Sequence, residues 1–354
     1  MHRPAASSKQ AIDRTGRPPC RPIAVDPAKN RQARGPAPRY YARMTIALGC
    51  MGLSGAYGKT DDSQSIALIQ AAIDRGIAFL DTGDFYGNGH NELLISKAIA
   101  GRRDRVQLSV KFGALRGPDG SWGGFDGRPA AVKNFLYYSL VRLGTEYIDV
   151  YRPARLDPAV PIEDTIGAIA DMIKAGFVRA IGLSEVGPET IRRAAKVHPI
   201  ADLQIEYSLV TREPEDAIFP ALRELGIGAT LYGVLSRGLL SASELRPGDG
   251  RALMPRFSGA NGEANAKLVA SLHALAKRWD IAPSQLAIGW VLGKQPQFTP
   301  TLGMRTMQQL DEALATKPLT AEQLAEVEAI APRGAVAGSR YPMAMMSTLD
   351  SEKR

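Results

Sequence analysis

Eight short apolar segments, separated by longer amphipathic stretches, constrain the fold of this chain more than any other feature. They are Ile46–Gly49, Ala78–Asp81, Val106–Lys111, Ile148–Tyr151, Ala180–Leu183, Asp202–Glu206, Gly228–Tyr232 and Phe298–Leu302. The intervening segments carry helical spacing: Ile66, Ile69, Ala72 and Ile73 share one face of Asp62–Arg75, and Ile166, Ile169 and Ile173 one face of Ile162–Ala175. Gly76, Gly176 and Gly226 each follow such a run and precede the next strand, where a left-handed helix cap is expected. Strands apolar on both faces belong to parallel sheets. Eight βα units predict closure into a TIM (β/α)8 barrel of the α/β class, in preference to an open doubly wound sheet. One barrel domain is therefore expected over residues 44–354, including a C-terminal loop over 333–354.

Three inserts decorate that pattern. Ala114–Arg128 is Gly-rich and carries Trp122; Ser236–Asn261 is rich in Gly, Arg and Pro; Arg333–Arg354 holds Tyr341 and several methionines. The first two fall on the rim where strands end, the side on which barrel active sites are built. The aromatic and apolar content of the third predicts a tail folded over the same rim.

The net charge of +8 is not spread over the barrel. Residues 1–43 carry ten Lys and Arg against Asp13 and Asp26, leaving 34 basic and 34 acidic residues in the remainder. This Pro-rich stretch is expected to be a disordered extension, with Met44 as the effective start; a nucleic-acid or surface-binding arm is the alternative. No apolar run approaches the ~20 residues of a membrane helix. Cys20 and Cys50 are the only cysteines, which leaves no disulfide framework and no cysteine metal site. The expectation is a cytoplasmic protein without metal, membrane or nucleic-acid partner, monomeric or weakly homo-oligomeric.

Asp81, Tyr86 and Lys111 stand at the ends of the second and third predicted strands, in Phe79-Leu-Asp81-Thr-Gly-Asp-Phe-Tyr86 and Val106-Gln-Leu-Ser-Val-Lys111. An ammonium beside a phenol is expected to lower the tyrosine pKa from about 10, and a carboxylate to hold that ammonium in place. The result is a proton donor suited to carbonyl reduction by hydride transfer. Taken singly, the three also suit a turn cap, a solvated strand end and a packed aromatic. No Gly-x-Gly-x-x-Gly fingerprint is present, since Gly49-Cys-Met-Gly52-Leu-Ser-Gly55 has the wrong spacing.

These residues, together with Arg142-Leu-Gly-Thr-Glu-Tyr-Ile-Asp149, Val178-Arg-Ala-Ile-Gly-Leu-Ser184, Gln204-Ile-Glu-Tyr and Gly334-Ala-Val-Ala-Gly338, resemble the aldo-keto reductase family over about 44–346. The resemblance implies NADPH-dependent reduction of a ketone or aldehyde to an alcohol. It assigns proton donation to Tyr86, support of Tyr86 to Lys111 and orientation of Lys111 to Asp81. It places the nicotinamide carboxamide on Ser184 and Gln204, the ring on Tyr232, and the pyrophosphate on the backbone of Gly233, Leu235, Ser236, Arg237 and Gly238. Met51, Gly52, Gly303, Arg305 and Gln309 complete the cofactor set, Arg305 facing the 2′-phosphate and Gln309 the adenine. Tyr57, Trp122, Arg152 and Ala154 are the implied pocket residues.

Ala154 marks the main departure, because the family usually carries His there. Glu185 stands where Asn is common, which puts a negative charge near the nicotinamide. A missing imidazole removes a donor to the carbonyl oxygen, which water, Arg152 or His90 would have to replace. It also widens the pocket, predicting a bulky or cyclic substrate such as a polycyclic ketone or keto-sugar. The alternatives are an NADPH-binding sensor or regulatory subunit with weak or no turnover, and reduction of a conjugated double bond.

Overall fold

The computed structural model describes residues 46–241, 243, 245 and 249–353. The basic extension expected over residues 1–43 lies outside them, as does Met44. All eight expected strands form, and two more occur. In chain order they are β1 (Ala47–Gly49), β2 (Phe79–Gly83), β3 (Gln107–Phe112), β4 (Ala114–Arg116), β5 (Trp122–Phe125), β6 (Ile148–Pro153), β7 (Val178–Ser184), β8 (Ile200–Glu206), β9 (Gly228–Tyr232) and β10 (Thr299–Gly303). Every strand except β4 and β5 joins a closed barrel in the order β1-β10-β9-β8-β7-β6-β3-β2. All its pairings are parallel, so the expected (β/α)8 barrel is what forms. The two extra strands pair antiparallel as a hairpin within the first rim insert, where the run of glycines conceals any alternating pattern.

The helix Ile162–Ala175 shows how sequence becomes layer. Ile162, Ile166 and Ile169 recur on one face and are 2%, 0% and 0% exposed, packed in the main hydrophobic core. Complete burial of each such side chain stabilises by roughly 1.5–3 kcal/mol. Glu163 and Asp164 in the first turn and Lys174 in the last suit the helix dipole. Gly176 ends the helix at φ 90°, its N–H donating to the carbonyls of Met172 and Ile173. That left-handed cap is the one anticipated from the glycine itself. The helix Asp62–Asp74 closes on Arg75, with Gly76 following at φ 94°.

The C-terminal segment crosses the rim above β7, β8 and β9. Asp350 accepts from the Gly187 N–H at 3.0 Å and from Thr190 Oγ1 at 2.7 Å, while Ser351 donates its N–H to the Glu185 carbonyl at 3.1 Å. Among the described residues no helix is long and apolar enough to cross a membrane, and no cluster of metal-ligating side chains occurs.

Candidate active site

Strand register brings the expected catalytic residues to one rim. Gly83 of β2 pairs with Lys111 of β3, and two residues earlier Asp81 pairs with Ser109. Lys111 Nζ donates to Asp81 Oδ2 at 2.6 Å, with side chains only 4% and 7% exposed. Asp81 Oδ1 accepts from Ser109 Oγ at 3.0 Å and from Gln204 Nε2 at 2.9 Å. Two donors from the neighbouring β3 and one from β8 thus hold the carboxylate, which is the condition for tolerating a buried ion pair. Tyr86 opens the turn after β2, where Gly87, Asn88 and Gly89 all have positive φ. A Cβ on Gly89 would meet Arg142 Cδ at 2.8 Å, so glycine is required there. The turn brings the Tyr86 ring to the lysine, with Nζ 5.0 Å from the ring centroid.

The electrostatics differ from the expectation in one respect. Burial and the Asp81 charge push the Tyr86 pKa well above 10, and the charge that most lowers it is that of Arg155, with Lys111 engaged by Asp81. Burial likewise pulls Lys111 down despite Asp81. The phenol is therefore firmly protonated, a state that serves a proton donor and not a standing base.

The expected cofactor residues fall into three groups. Ser184 and Gln204 are paired in register at the ends of β7 and β8, both buried, and Gln204 joins this group to Asp81. Tyr232 ends β9, with Gly233 and the turn Leu235–Gly238 behind it. Met51 and Gly52 lie in the turn after β1, where Gly52 abuts the Tyr57 ring and the Arg305 stem. Arg305 follows Gly303, the last residue of β10, and donates to the carbonyls of Tyr57 at 2.7 Å and Lys59 at 2.6 Å. Gln309 Oε1 accepts from the Arg305 N–H at 2.7 Å.

The pocket residues fare less uniformly. Tyr57 lies beside Gly52 and, in its electrostatic surroundings, Arg237 and Tyr341. Trp122 packs within its own hairpin, edge-on to Phe125 and under Arg116. Arg152 departs from its expected place beside the substrate: it is 0% exposed in the barrel interior, paired with Asp202 at 3.0 Å and bonded to Ser109 Oγ and Thr230 Oγ1. A guanidinium so engaged cannot replace a donor at the rim. His90 is likewise engaged, with Nδ1 at 2.9 Å from Ser54 Oγ and Nε2 at 3.1 Å from Asp62. Ala154 is 2% exposed, and Arg155 Nη1 reaches back to its carbonyl at 2.6 Å, so a guanidinium stands beside the residue that replaces the imidazole.

The tail completes the site in a way that the sequence only hinted at. Glu185, at φ 54° just after Ser184, and Glu206, at the end of β8, are both 0% exposed. Arg340 of the tail bonds Glu185 at 2.6 Å and reaches Glu206 at 3.4 Å, while Arg237 bonds Glu206 at 3.1 Å. Burial pushes the Glu185 carboxyl up, but Arg340 overrides it and holds the group at about 2. The negative charge expected from Glu185 is thus neutralised by the tail. Tyr232 Oη donates to Glu185 at 2.7 Å and lies 3.3 Å from Tyr341 Oη. Two carboxylates at adjacent strand ends were the available signal, since buried acids need a cation from somewhere. A cavity of about 180 Å³ under the tail, lined in part by Leu209, Arg256 and Val336, does not include Asp81, Tyr86 or Lys111.

A family model described as the Aldo/keto reductase family matches residues 45–332. The chain is 40% identical over 307 residues to a protein from Glycine max named probable aldo-keto reductase 1, the match covering 84% of this chain and 88% of the relative. The solved structure of a glycerol dehydrogenase from Gluconobacter oxydans aligns with TM-score 0.75 at 25% identity, covering 90% of this chain and 97% of that one. An aldo-keto reductase from Bacillus halodurans, in its holo form, aligns with TM-score 0.69 at 29% identity, covering 84% and 94%.

Proposed function

This chain belongs to the aldo-keto reductase family and is an oxidoreductase acting on carbonyl and alcohol groups; on that premise we propose that it reduces a ketone or aldehyde to an alcohol with NADPH, Tyr86 donating the proton. The observation that carries the reading is convergence on one rim of the Tyr86 phenol, the buried Lys111–Asp81 pair and Gln204, which donates to the same carboxylate.

The residues present suit the cofactor. Leu235, at φ −92° and ψ 9°, is followed by Ser236 and Arg237 at φ 45° and 57°. Within this turn Ser236 and Gly238 donate their N–H groups to the Gly233 and Leu235 carbonyls at 2.7 and 2.9 Å, so the Leu235 and Arg237 N–H groups would be the backbone donors to phosphate oxygens. Gly238 follows in the same left-handed region, and Gly233 gives the chain its turn away from Tyr232. Ser184 and Gln204 offer a hydroxyl and an amide side by side for a carboxamide, and Tyr232 an aromatic face. Arg305 suits the 2′-phosphate, because a guanidinium binds phosphate through paired donors, with Gln309 beside it for adenine. Met51, Gly52 and Gly303 form the backbone corner around that arginine. When bound, NADPH supplies the hydride.

The chain's own residues do the rest. Tyr86 keeps its proton until negative charge develops on the carbonyl oxygen, and then gives it up. Lys111, held over the ring by Asp81, fixes the surroundings of the phenol before reaction, its own charge largely offset by that carboxylate. Water restores the proton. A bulky or cyclic carbonyl, of polycyclic ketone or keto-sugar type, is the favoured substrate, since Ala154 offers a methyl where an imidazole would project.

A panel from small aldehydes to polycyclic ketones, scored by NADPH consumption and product analysis, tests the reading. Turnover that rises with the bulk of the ketone and yields the alcohol supports it. Preference for small aldehydes removes the bulky-substrate part. NADPH binding without turnover on any carbonyl would instead identify a nucleotide sensor, and saturation of a conjugated double bond a different reductase.

A further inference from the structure

One strong cation at the rim has no use in this scheme. Arg155 follows Ala154 at the C-terminal end of β6, half-buried, and its Nη1 donates to the Ala154 carbonyl at 2.6 Å and lies 3.4 Å from Ser184 Oγ. The neighbouring arginines are matched to carboxylates: Arg340 to Glu185, Glu206 and Glu352, Arg237 to Glu206, and Arg152 to Asp202. Among the described residues Arg155 forms no ion pair. Its contacts are an uncharged carbonyl and a hydroxyl, and the nearby Glu185 is already taken by Arg340. Burial weighs against its charge, but Glu185 and its neighbours hold the Arg155 pKa above the ordinary value, so it stays cationic with no carboxylate on its N–H groups and can donate to a negative charge that arrives during function.

Its position says where that charge would be. The Arg155 Nη1 lies between the Ala154 carbonyl, just past the end of β6, and Ser184 Oγ at the end of β7, beside the residue that stands in place of the imidazole. Of the surrounding cations it is also the one that most favours the Tyr86 phenolate. We propose that Arg155 is the second donor to the substrate carbonyl oxygen, doing with a guanidinium N–H what an imidazole at position 154 would do. This rests on the carbonyl-reductase reading above. In the step, hydride from the reduced nicotinamide bonds to the carbonyl carbon and the C=O π pair moves to oxygen. That oxygen takes the Tyr86 proton, the substrate is reduced and the nicotinamide oxidised. Arg155 gives a hydrogen bond throughout and keeps its proton, and water reprotonates Tyr86.

The test compares wild type with Arg155→Ala, Arg155→Lys and the double variant Arg155→Ala/Ala154→His. Each is assayed on the neutral carbonyl that wild type reduces best and on its carboxylate-bearing analogue, with NADPH affinity from fluorescence titration. Removal of one such donor is expected to lower kcat on the order of a hundredfold on both substrates. NADPH affinity should stay within about threefold of wild type, a range that corresponds to well under ~1 kcal/mol. Arg155→Lys, which keeps the charge and guards against a folding defect in the alanine variant, should fall between. The new imidazole should recover at least about tenfold of the lost kcat, roughly 1.4 kcal/mol of barrier. Unchanged kcat in Arg155→Ala overturns the proposal while leaving the reductase reading intact. So does a loss confined to the KM of the carboxylate-bearing substrate, which would make Arg155 a substrate-anion anchor, or a double variant with no recovery. If wild type consumes no NADPH with any carbonyl, the reductase reading fails and this proposal with it.

Discussion

Replacing Arg340 with Met should cost about 3 kcal/mol of stability and free the C-terminal segment from the rim. The magnitude follows from Glu185, which is 0% exposed and whose carboxyl Arg340 holds at about 2 against an ordinary 4.5. At roughly 1.36 kcal/mol per pKa unit that difference is about 3 kcal/mol, near the low end of the ~3–5 kcal/mol measured when one partner of a buried pair is removed. Glu206 suffers less, because Arg237 remains 3.1 Å away. The sign with pH is fixed: a depressed carboxyl contributes fully above about 4.5, and the contribution is lost as pH falls toward 2. Urea denaturation of wild type and variant should therefore differ most at neutral pH and converge in acid. Glu185→Gln/Arg340→Met should recover part of the loss, since an amide does not need the cation. A single-variant cost below about 1 kcal/mol, or a double variant as weak as the two single losses added, would refute the reasoning.

Other consequences are as direct. Burial, with the Glu92 charge nearby, raises the Asp84 carboxyl to about 7. Folding therefore binds a proton, so this group erodes stability as pH rises from about 4 to about 7. Asp84→Asn should stabilise by up to roughly 4 kcal/mol at about pH 8 and much less at about pH 4, as read by denaturation at the two pH values; an equal effect at both would count against it. Arg305→Ala should weaken NADPH binding about ten- to a hundredfold, the value of a charge-assisted hydrogen bond, with NADH little changed in parallel fluorescence titrations. Equal losses for the two cofactors would mean that Arg305 serves only to hold the Tyr57–Lys59 loop.

The barrel was legible because its determinants are local. Two-sided apolar runs, helical spacing and caps such as Gly176 each act within a short stretch of chain, and the strands lie close to their expected ends. The convergence of Asp81, Tyr86 and Lys111 was legible for a related reason: once strands are parallel, their ends share a rim. Arg152 shows where that logic needs one more step. Side chains alternate along a strand, so Val150, Arg152 and Ala154 share a face, and the arginine two positions before the rim lies a layer deeper, against Asp202. The tail's role was legible only in outline. Its apolar content indicated that it would fold back, but the Arg340–Glu185 pair joins residues 155 positions apart. No periodicity encodes a pairing of that range. The Tyr86 pKa runs opposite to the sequence expectation because proximity of a lysine suggests acidification, whereas Asp81 has already taken up the lysine's charge and burial then dominates.

The most direct test of Tyr86 as proton donor is Tyr86→Phe, followed by single-turnover oxidation of bound NADPH in the presence of the best carbonyl substrate. NADPH affinity near wild type with an oxidation rate lowered by about a hundredfold or more is the expected result. A Tyr86→Phe variant that still oxidises NADPH within a few-fold of the wild-type rate would contradict the assignment.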